Sequence, residues 1–405
     1  MIQLGHVHAA PAPFARHASI PGWDQQRLAE ARVMIAGVGA LGNACATNLA
    51  LAGVGGLLLV DRDTVETSNL SRAILFRRGD EGQRKVDVAQ RRLREIALAA
   101  PSTLAAIHGD VGRDVGAGVY RRMDLILGCV DSPESRAAVG VPAWTLAVPA
   151  VFGGLWGMDG AVFVQGIGEG PCVACSFTRA EWTEWSRHYS CDQVRRVTTS
   201  TTPIPATQIS ATLTAALMTQ EALKLLHGDR RPCGERLFVR SHKPALDRVV
   251  VRRSGRCPFH ERIGPVEERH DLSSTLGAGK VLDLLSSEFA APVTLELGRR
   301  DFLVSARCKG CGERLDLLRP RFRVTEADLV CPSCRTTGRS PANDSELSVI
   351  QGLSLDSPSA LLERPLDALG VPPLHVLEIS TPRGSRWIEL TGDLLRILPA
   401  GPFHR

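Results

Sequence analysis

The sequence lacks the features that mark membrane and secreted proteins. It contains no run of about 18 uninterrupted apolar residues that could form a transmembrane helix. Its N-terminal stretch, MIQLGHVHAAPAPFARHASIPG, has no apolar segment of the signal-peptide type. Charge of one sign is not in large excess either, since the formal net charge is +5 over 405 residues and the basic residues are scattered. We therefore expect a soluble, cytoplasmic protein that does not bind membranes, and the mild positive charge permits an acidic partner without indicating nucleic acid.

Internal repeats and low-complexity tracts are also absent, whereas cysteine is plentiful. The chain has 11 cysteines, and six of them stand in C-x-x-C pairs. In a large chain without a secretion signal, this spacing favours metal binding or thiol chemistry over a disulfide framework. A hydrophobic content of 44% supports at least one large core.

The first 150 residues or so alternate short apolar strands with helices. The strand segments are continuous apolar runs, which is typical of strands that are covered on both faces. Strands and helices that alternate in this way predict an α/β fold with a Rossmann-like, doubly wound and mostly parallel sheet. The strands are expected in RVMIAG (32–37), GLLLVD (56–61), AAIHGD (105–110) and DLILGCVD (124–131), and the helices at 40–53 and 81–100.

Beyond this region the pattern changes. VFGGLWGMDGAVFVQG (151–166) predicts antiparallel strands that extend the sheet, and residues 206–228 predict a long helix. From about residue 262 a different unit begins, and LHVLEISTPRGSRWIELTG near its end predicts a β-hairpin. We therefore predict two domains, 1–262 and 263–405, of which the second is an α+β unit.

A glycine fingerprint predicts a nucleotide site in the first domain. Gly37, Gly39 and Gly42 form G-x-G-x-x-G between a strand and a helix. Glycine lets the backbone approach a phosphate, and the N-terminus of a helix attracts its negative charge. Asp61 ends the next strand, where a carboxylate can bind a ribose hydroxyl. The alternative is a tight turn that binds nothing.

Four polar residues favour ATP over a dinucleotide. Asn69 and Arg72 lie in SNLSR, Lys85 lies in GQRKV, and Asp131 lies in GCVDSPESR. A triphosphate requires cations and a metal for charge neutralisation, and a carboxylate at the end of a later strand can hold Mg²⁺ beside the phosphates. Taken singly, Arg72 and Lys85 are ordinary surface charges. Taken with the glycine turn, they predict a phosphate site.

A zinc ribbon is predicted in the second domain, at about residues 303–338. Cys308, Cys311, Cys331 and Cys334 give the spacing C-x₂-C-x₁₉-C-x₂-C. Each pair offers two thiolates to a tetrahedral Zn²⁺, and the spacing lies in the zinc-ribbon range. This pattern predicts a structural zinc ion.

A second zinc site is divided between distant parts of the chain. Cys172 and Cys175 in PCVACS are expected to pair with Cys257 and His260 in CPFH. A Cys₃His set leaves no open position, so this zinc is also expected to be structural. The alternative is that His260 is a surface histidine and that water is the fourth ligand.

A set of motifs in this order resembles the E1-like activating enzymes of the MoeB/ThiF/HesA type, over roughly residues 14–260. The motifs are RHASIPGWDQQ, VMIAGVGALGN, LLLVDRDTVETSNLSR, GQRKVDVAQRRL, LILGCVDSPESR, GPCVACS and MTQEALKLLHG. The resemblance implies an ATP-dependent adenylyltransferase. Its substrate would be the C-terminal carboxylate of a small β-grasp protein, ubiquitin-like or a sulfur carrier, or of a peptide, and pyrophosphate would be released. The implied roles are ribose binding for Asp61, phosphate binding for Asn69, Arg72 and Lys85, and magnesium binding for Asp131.

Three further roles follow from the resemblance. Arg16 resembles an N-terminal arginine that reaches the γ-phosphate of the other subunit's ATP, which implies a homodimer. Cys191, in the polar stretch RHYSCDQVRR, matches by position a loop cysteine that forms a thioester or receives sulfur. The neighbouring His188 and Arg187 favour its thiolate, and an incidental loop cysteine is the alternative. His260 would replace the fourth cysteine of the family's zinc site.

Two other classes of protein explain parts of the sequence. An NAD(P)-dependent oxidoreductase with a zinc-ribbon appendage explains the glycines and Asp61, but it leaves the four phosphate-site residues without a shared purpose. A nucleic-acid-binding ribbon would need a basic, aromatic face, and RLDLLRPRFRV has one aromatic residue. The activating enzyme is therefore our prediction. The identity of the carrier stays open, as does the fate of the product in sulfur transfer, conjugation or peptide maturation.

Overall fold

The computed structural model describes residues 12–98, 103–183, 205–241, 245–297, 300, 302–333, 345–400 and 402–404. Two residues of the predicted sites, Cys191 and Cys334, lie outside the described residues. Among the described helices, none combines the length and the apolar composition that a membrane span requires.

Helices and strands alternate in the first part of the chain, and strands predominate in the second. The described helices are α1 (Gln25–Glu30), α2 (Ala40–Ala52), α3 (Lys85–Ile96), α4 (Ala117–Arg121), α5 (Pro133–Thr145), α6 (Gln208–Leu226), α7 (Ala278–Phe289), α8 (Ser359–Leu362) and α9 (Leu394–Ile397). The strands of the first part are β1 (Arg32–Ala36), β2 (Gly56–Asp61), β3 (Thr103–His108), β4 (Leu125–Gly128), β5 (Ala150–Trp156), β6 (Asp159–Val164), β7 (Glu235–Arg240) and β8 (Ala245–Val250). Those of the second part are β9 (Val266–Glu268), β10 (Thr294–Glu296), β11 (Phe302–Cys308), β12 (Arg314–Pro320), β13 (Ser345–Ile350), β14 (Gly352–Leu353), β15 (Val376–Thr381) and β16 (Gly384–Glu389).

The first eight strands form one sheet in the order β3-β2-β1-β4-β5-β6-β7-β8. The five strands from β3 to β5 are parallel to their neighbours, whereas β6, β7 and β8 join in antiparallel pairing. Both the parallel sheet and its antiparallel extension agree with the sequence prediction. The α/β, doubly wound fold class is therefore confirmed.

Alternating side chains of β1 show why the sheet is doubly wound. Val33 and Ile35 pack into a core with helices α2, α3 and α6, while Met34 and Ala36 pack into a second core with α4 and α5. Because both faces of the strand are covered, it reads as an unbroken apolar run. Helix α2 ends at Ala52 and is followed by Gly53, whose φ of 82° is accessible to glycine at little cost.

Residues 266–404, here called the C-terminal segment, form two smaller sheets. One sheet has the strand order β14-β10-β15-β16-β9, and the other has the order β12-β11-β13. The hairpin predicted near the end of the chain is β15–β16, with antiparallel register from Val376↔Glu389 to Thr381↔Gly384. The predicted hairpin is confirmed.

The C-terminal segment packs directly on the large sheet. Leu374, Leu398 and Phe403 are buried in the same core as α4 and α5. Glu389 is fully buried and forms an ion pair with Arg122 at 2.7 Å. The segment therefore contributes apolar and charged contacts that fix its position against the first part of the chain.

One helix is shorter than the sequence predicted. The pattern predicted a helix at 81–100, and α3 spans Lys85–Ile96. Gly82 adopts a φ of 80°, and Arg84 is extended, so the residues before Lys85 cannot be helical. Ala97 is also extended, which ends the helix at Ile96.

Candidate active site

The three fingerprint glycines serve different purposes in the turn between β1 and α2. Gly37 has a φ of 90°, and a Cβ atom there would lie 2.6 Å from the carbonyl oxygen of Cys129. A Cβ atom on Gly42 would collide with the carbonyl of Gly37. At Gly39 a Cβ atom would meet no atom within 4 Å. Protein packing therefore requires the first and third glycines, whereas the second borders open space at the N-terminus of α2.

Asp61 closes this turn from the end of β2. Its Oδ2 atom accepts a 2.6 Å hydrogen bond from the backbone N–H of Val38, and its Oδ1 atom accepts a 2.8 Å bond from that of Asp63. Burial raises the pKa of Asp61, and the nearby Lys85 ammonium opposes that shift. The two hydrogen bonds hold the carboxylate in one orientation beside the glycine turn.

The predicted phosphate ligands lie beyond Asp61. The Nζ atom of Lys85, the first residue of α3, pairs with Asp63 at 3.0 Å. Asn69 is buried and accepts the backbone N–H of Glu66 at 3.1 Å through its Oδ1 atom, which fixes the turn that also carries Arg72. Two cations and an amide thus face the same space as the glycine turn.

A cleft of about 1660 Å³ runs along the carboxyl ends of the parallel strands. Ligands of open α/β sheets bind in this position because loops from several strands meet there. The structure brings seven predicted site residues together in its lining, namely Gly37, Gly39, Asp61, Asn69, Arg72, Lys85 and Asp131.

Asp131 follows β4 and is exposed, so its carboxylate can reach a ligand in the cleft. Arg136 lies in the first turn of α5 and pairs with Glu181 at 3.4 Å. Burial lowers the pKa of Arg136, and its Nε atom is buried without a hydrogen-bond partner among the described residues. Arg136 stands in the quoted motif GCVDSPESR but was given no role there. The available signal was a basic side chain close to Asp131 in the same motif.

The opposite wall of the cleft comes from the C-terminal segment. Arg300, Arg321, Phe322, His375 and Trp387 all line it. Sequence reasoning missed these residues because they stand in no motif, and they reach the cleft only through docking of the segment on the large sheet. Of these residues, only Phe322 was noted from the sequence, as the single aromatic residue of RLDLLRPRFRV.

Arg16 is exposed and does not line this cleft. It precedes the 3₁₀ helix His17–Ser19, and Phe14 anchors the same stretch by being buried. This position leaves the guanidinium accessible to another molecule.

Cys172, Cys175, Cys257 and His260 converge, with one ligand atom of each within 4.8 Å of all the others. The Sγ atoms of Cys172 and Cys257 are 3.5 Å apart, and the Sγ atom of Cys175 lies 3.3 Å from Nε2 of His260. Hydrogen bonds from the Cys172 and Cys257 thiols lower the pKa of Cys175. The His260 ring packs 4.8 Å from that of Trp144. The histidine is therefore part of the cluster rather than a separate surface residue.

The ribbon cysteines also converge as far as they are described. Sulfur atoms of Cys308, Cys311 and Cys331 lie within 4.8 Å of one another, and those of Cys311 and Cys331 are 3.6 Å apart. Backbone N–H groups of Cys311 and Gly310 lower the pKa of Cys308 to about 7. The cluster sits at the end of the β11–β12 hairpin, as a zinc knuckle requires.

Three remaining cysteines have no feature of an activated nucleophile. Cys45 is buried in the core of the large sheet. Cys129 was expected inside a strand, but β4 ends at Gly128 and Cys129 follows it. The Cys45 thiol and burial raise the pKa of Cys129, and burial raises that of Cys233.

The ThiF family profile matches residues 14–258. The chain belongs to the ThiF family. The sulfur carrier protein adenylyltransferase of Thermus thermophilus is 33% identical over 240 residues, which are 58% of this chain and 83% of that relative. The sulfur carrier protein ThiS adenylyltransferase of Escherichia coli is 30% identical over 235 residues, covering 58% and 87%. The expected E1-like adenylyltransferase family is thus confirmed, and family membership supports ATP as the nucleotide.

The fungal relative named adenylyltransferase and sulfurtransferase uba4, from Aspergillus fumigatus, is 37% identical over 163 residues. The match covers 38% of this chain and 33% of that relative, so the chain spans about a third of its length. Among solved structures, E. coli MccB with MccA-N7isoASN aligns with a TM-score of 0.50 at 18% identity, over 62% of this chain and 75% of that one. This likeness concerns the fold alone. The C-terminal segment lies outside the ThiF match.

Proposed function

We propose that this ThiF-family protein uses ATP to adenylate the C-terminal carboxylate of a ubiquitin-like or sulfur-carrier protein, or of a peptide. The observation that carries the proposal is the convergence of Gly39, Asp61, Arg72 and Lys85 in one cleft. A ribose ligand, an open glycine turn and two cations suit a nucleoside triphosphate. The names of the two bacterial relatives support a sulfur carrier protein as substrate.

In the proposed reaction, an oxygen of the substrate carboxylate forms a bond to the α-phosphorus of ATP. The bond between that phosphorus and the bridging oxygen to the β-phosphate breaks, and its electron pair leaves with pyrophosphate. No proton has to move, since the carboxylate is already ionised. Arg72 stabilises charge on the phosphates. The Lys85 ammonium leaves its ion pair with Asp63 and binds a phosphate oxygen instead. Asn69 orients the turn that carries Arg72.

A magnesium ion fits the carboxylate chemistry of Asp131, which is exposed to the cleft close to the glycine turn. When bound, the ion supplies neutralisation of the phosphate charges. We propose that Arg16 contacts the nucleotide of a partner subunit in a homodimer, because it is exposed and lies outside its own cleft.

Zinc fits both cysteine clusters. Zn–S bonds of about 2.3 Å in a tetrahedron place two sulfur ligands about 3.8 Å apart. The sulfur pairs Cys172–Cys175 and Cys172–Cys257 are 3.9 and 3.5 Å apart. We propose two structural zinc ions, one held by Cys172, Cys175, Cys257 and His260, and one by the ribbon cysteines 308, 311, 331 and 334. When bound, each ion ties together chain segments that are distant in sequence.

Three further elements belong to the proposal. A thiolate of Cys191 attacks the acyl carbon of the adenylate, so that AMP leaves and a thioester forms. The chain divides at residues 262/263 into an adenylation domain and a domain with the ribbon and the hairpin. The protein acts in the cytoplasm, where thiols remain reduced and available to zinc.

Mass spectrometry of a reaction with ATP and a small β-grasp protein ending in glycine tests this function. The expected product is the carrier bearing one AMP group at its C-terminal carboxylate. A carrier lacking its last residue is the control and should remain unmodified. Absence of adenylate with every such carrier, together with tight binding of NAD(H), would contradict the proposal.

A further inference from the structure

A smaller cavity of about 340 Å³ adjoins the ribose end of the cleft. In the sheet Asp61 pairs with His108, and the backbone N–H of Gly109 donates to the Asp61 carbonyl at 3.1 Å. His108 and Gly109 both line the small cavity. The cavity therefore begins next to the residue that we assign to the ribose, and neither Arg72 nor Lys85 lines it.

The outer wall of this cavity is the turn of residues 321–323, in the C-terminal segment. Phe322 and Arg323 line both the cavity and the cleft. The Phe322 ring packs closely on Gly370, where a Cβ atom would lie 3.1 Å from the ring. The guanidinium of Arg113, from the loop after β3, lies 5.3 Å from the centroid of that ring. The guanidinium of Arg323, in the same turn, lies 5.7 Å from that centroid. An aromatic ring and two planar cations are thus stacked where the two parts of the chain meet.

Arg300 fixes this wall to the loop after β3. Its guanidinium donates to the carbonyls of Gly112 and Arg113, each at 3.0 Å, and to the carbonyl of Gly370 at 3.1 Å. One side chain therefore joins the loop beside Asp61 to the residue on which Phe322 packs. The separation between the two walls is set by this contact.

We infer that the cavity holds the purine base of ATP and that Phe322, from the C-terminal segment, forms the apolar wall of the base site. The inference rests on the proposed function. A purine has flat π-faces, which pack favourably on aromatic rings and guanidinium planes. The base then bridges the two parts of the chain, so that the C-terminal segment takes part in nucleotide binding.

The test is calorimetric titration of the full chain with ATP, AMP and inorganic tripolyphosphate, in the same magnesium buffer. Tripolyphosphate occupies the phosphate end alone. Phe322→Ala is expected to weaken ATP and AMP binding about tenfold, because one base–aromatic contact is lost, and to leave tripolyphosphate binding unchanged. Leu355→Ala is the matched control, since Leu355 is an exposed apolar residue of the same segment outside the cleft. It should bind all three probes like the wild type.

Phe322→Leu keeps an apolar side chain packed on Gly370. It therefore provides the test of the base site if Phe322→Ala fails to fold. It should bind ATP more weakly than the wild type at unchanged tripolyphosphate affinity. Wild-type ATP affinity in both Phe322 variants would overturn the base site while leaving the proposed function intact. A parallel loss of ATP and tripolyphosphate affinity would also overturn it, because the effect would then be structural. A wild-type chain that binds no ATP would overturn the proposed function itself.

Discussion

The backbone N–H of Val38 donates a 2.6 Å hydrogen bond to the Asp61 carboxylate. This contact ties the glycine turn at the end of β1 to the end of β2. The turn and the carboxylate therefore move as one unit, with the N-terminus of α2 on one side and the loop after β3 on the other. A nucleotide that meets Asp61 with its ribose meets the open side of Gly39 with its phosphates.

The open space at Gly39 predicts that a substitution there weakens ATP binding without affecting the stability of the fold. Gly39→Ala should leave the melting temperature nearly unchanged and weaken ATP binding, because the methyl group enters the space assigned to phosphate. Gly42→Ala should instead destabilise the protein by about 3 kcal/mol through a backbone collision. Thermal unfolding and ATP titration distinguish the two.

Gly255→Ala is the control for the glycine series, since Gly255 also borders open space but lies outside the cleft. It should change neither stability nor binding. Equal ATP affinity for Gly39→Ala and Gly255→Ala would contradict the assignment of phosphate to this turn.

The convergence of His260 with three cysteines predicts how many zinc ions each chain holds. The full chain should carry about two zinc ions, and His260→Ala should carry about one, because three thiolates alone leave the set incomplete. His260→Cys should restore the second ion. Elemental analysis by mass spectrometry measures this, with the exposed His270→Ala as control. An unchanged count in His260→Ala would favour water as the fourth ligand.

The buried ion pair of Glu389 with Arg122 predicts a large loss of stability when it is broken. Glu389→Gln should cost about 3 kcal/mol, since among the described carboxylates the buried Arg122 keeps only the more distant Glu268, at 4.0 Å. Arg121 also loses its contact with Glu389. Glu268→Gln removes a half-exposed partner that lies 3.4 Å from Arg121 and 4.0 Å from Arg122. It should cost less than about 1 kcal/mol because Glu389 still pairs with both arginines. Denaturant unfolding of both variants measures the difference. Equal effects would mean that the C-terminal segment is not held by Glu389.

The lowered pKa of His375 predicts that the folded protein loses stability in acid. Burial lowers its pKa well below the usual value, and the Arg300 charge acts in the same direction. Below about pH 6.5 the unfolded chain binds a proton that the folded chain does not. The stability contributed by the neutral ring is thus present above that pH and lost as the pH falls, by about 1.4 kcal/mol per pH unit.

His375→Asn tests this because the amide oxygen can still accept the Ala117 N–H, which lies 3.3 Å from Nδ1 of His375, but cannot titrate. Unfolding midpoints should fall less steeply with acid in this variant than in the wild type. The exposed His270→Asn should behave like the wild type. Parallel pH profiles for all three proteins would refute a role for His375.

The sequence predicted the fold of the first part well, for physical reasons. Strands such as GLLLVD are apolar throughout because both faces of the sheet are covered. The glycine fingerprint could be located because Gly37 and Gly42 have no room for a side chain. Local patterns suffice where each residue is constrained by its own strand or turn.

The far wall of the cleft could not be predicted in the same way. Phe322 and Arg300 are ordinary residues of their local sequence, and they reach the nucleotide end only because Arg300 bonds to Gly112 and Arg113 across the two parts of the chain. Likewise, the pairing of Lys85 with Asp63 depends on how α3 begins beside β2. Contacts between distant segments carry no local periodicity.

The central claim is adenylation, and ATP–pyrophosphate exchange tests it most directly. The wild type should exchange label only when a β-grasp carrier with a free C-terminal carboxylate is present. Arg72→Ala and Asp131→Ala should each lower the rate about 100-fold, because Arg72 neutralises the phosphates directly and Asp131 does so through the magnesium ion that we assign to it. Arg78→Ala, an exposed arginine outside the cleft, should exchange like the wild type. Exchange that is independent of the carrier, or equal in Arg72→Ala and Arg78→Ala, would contradict the account.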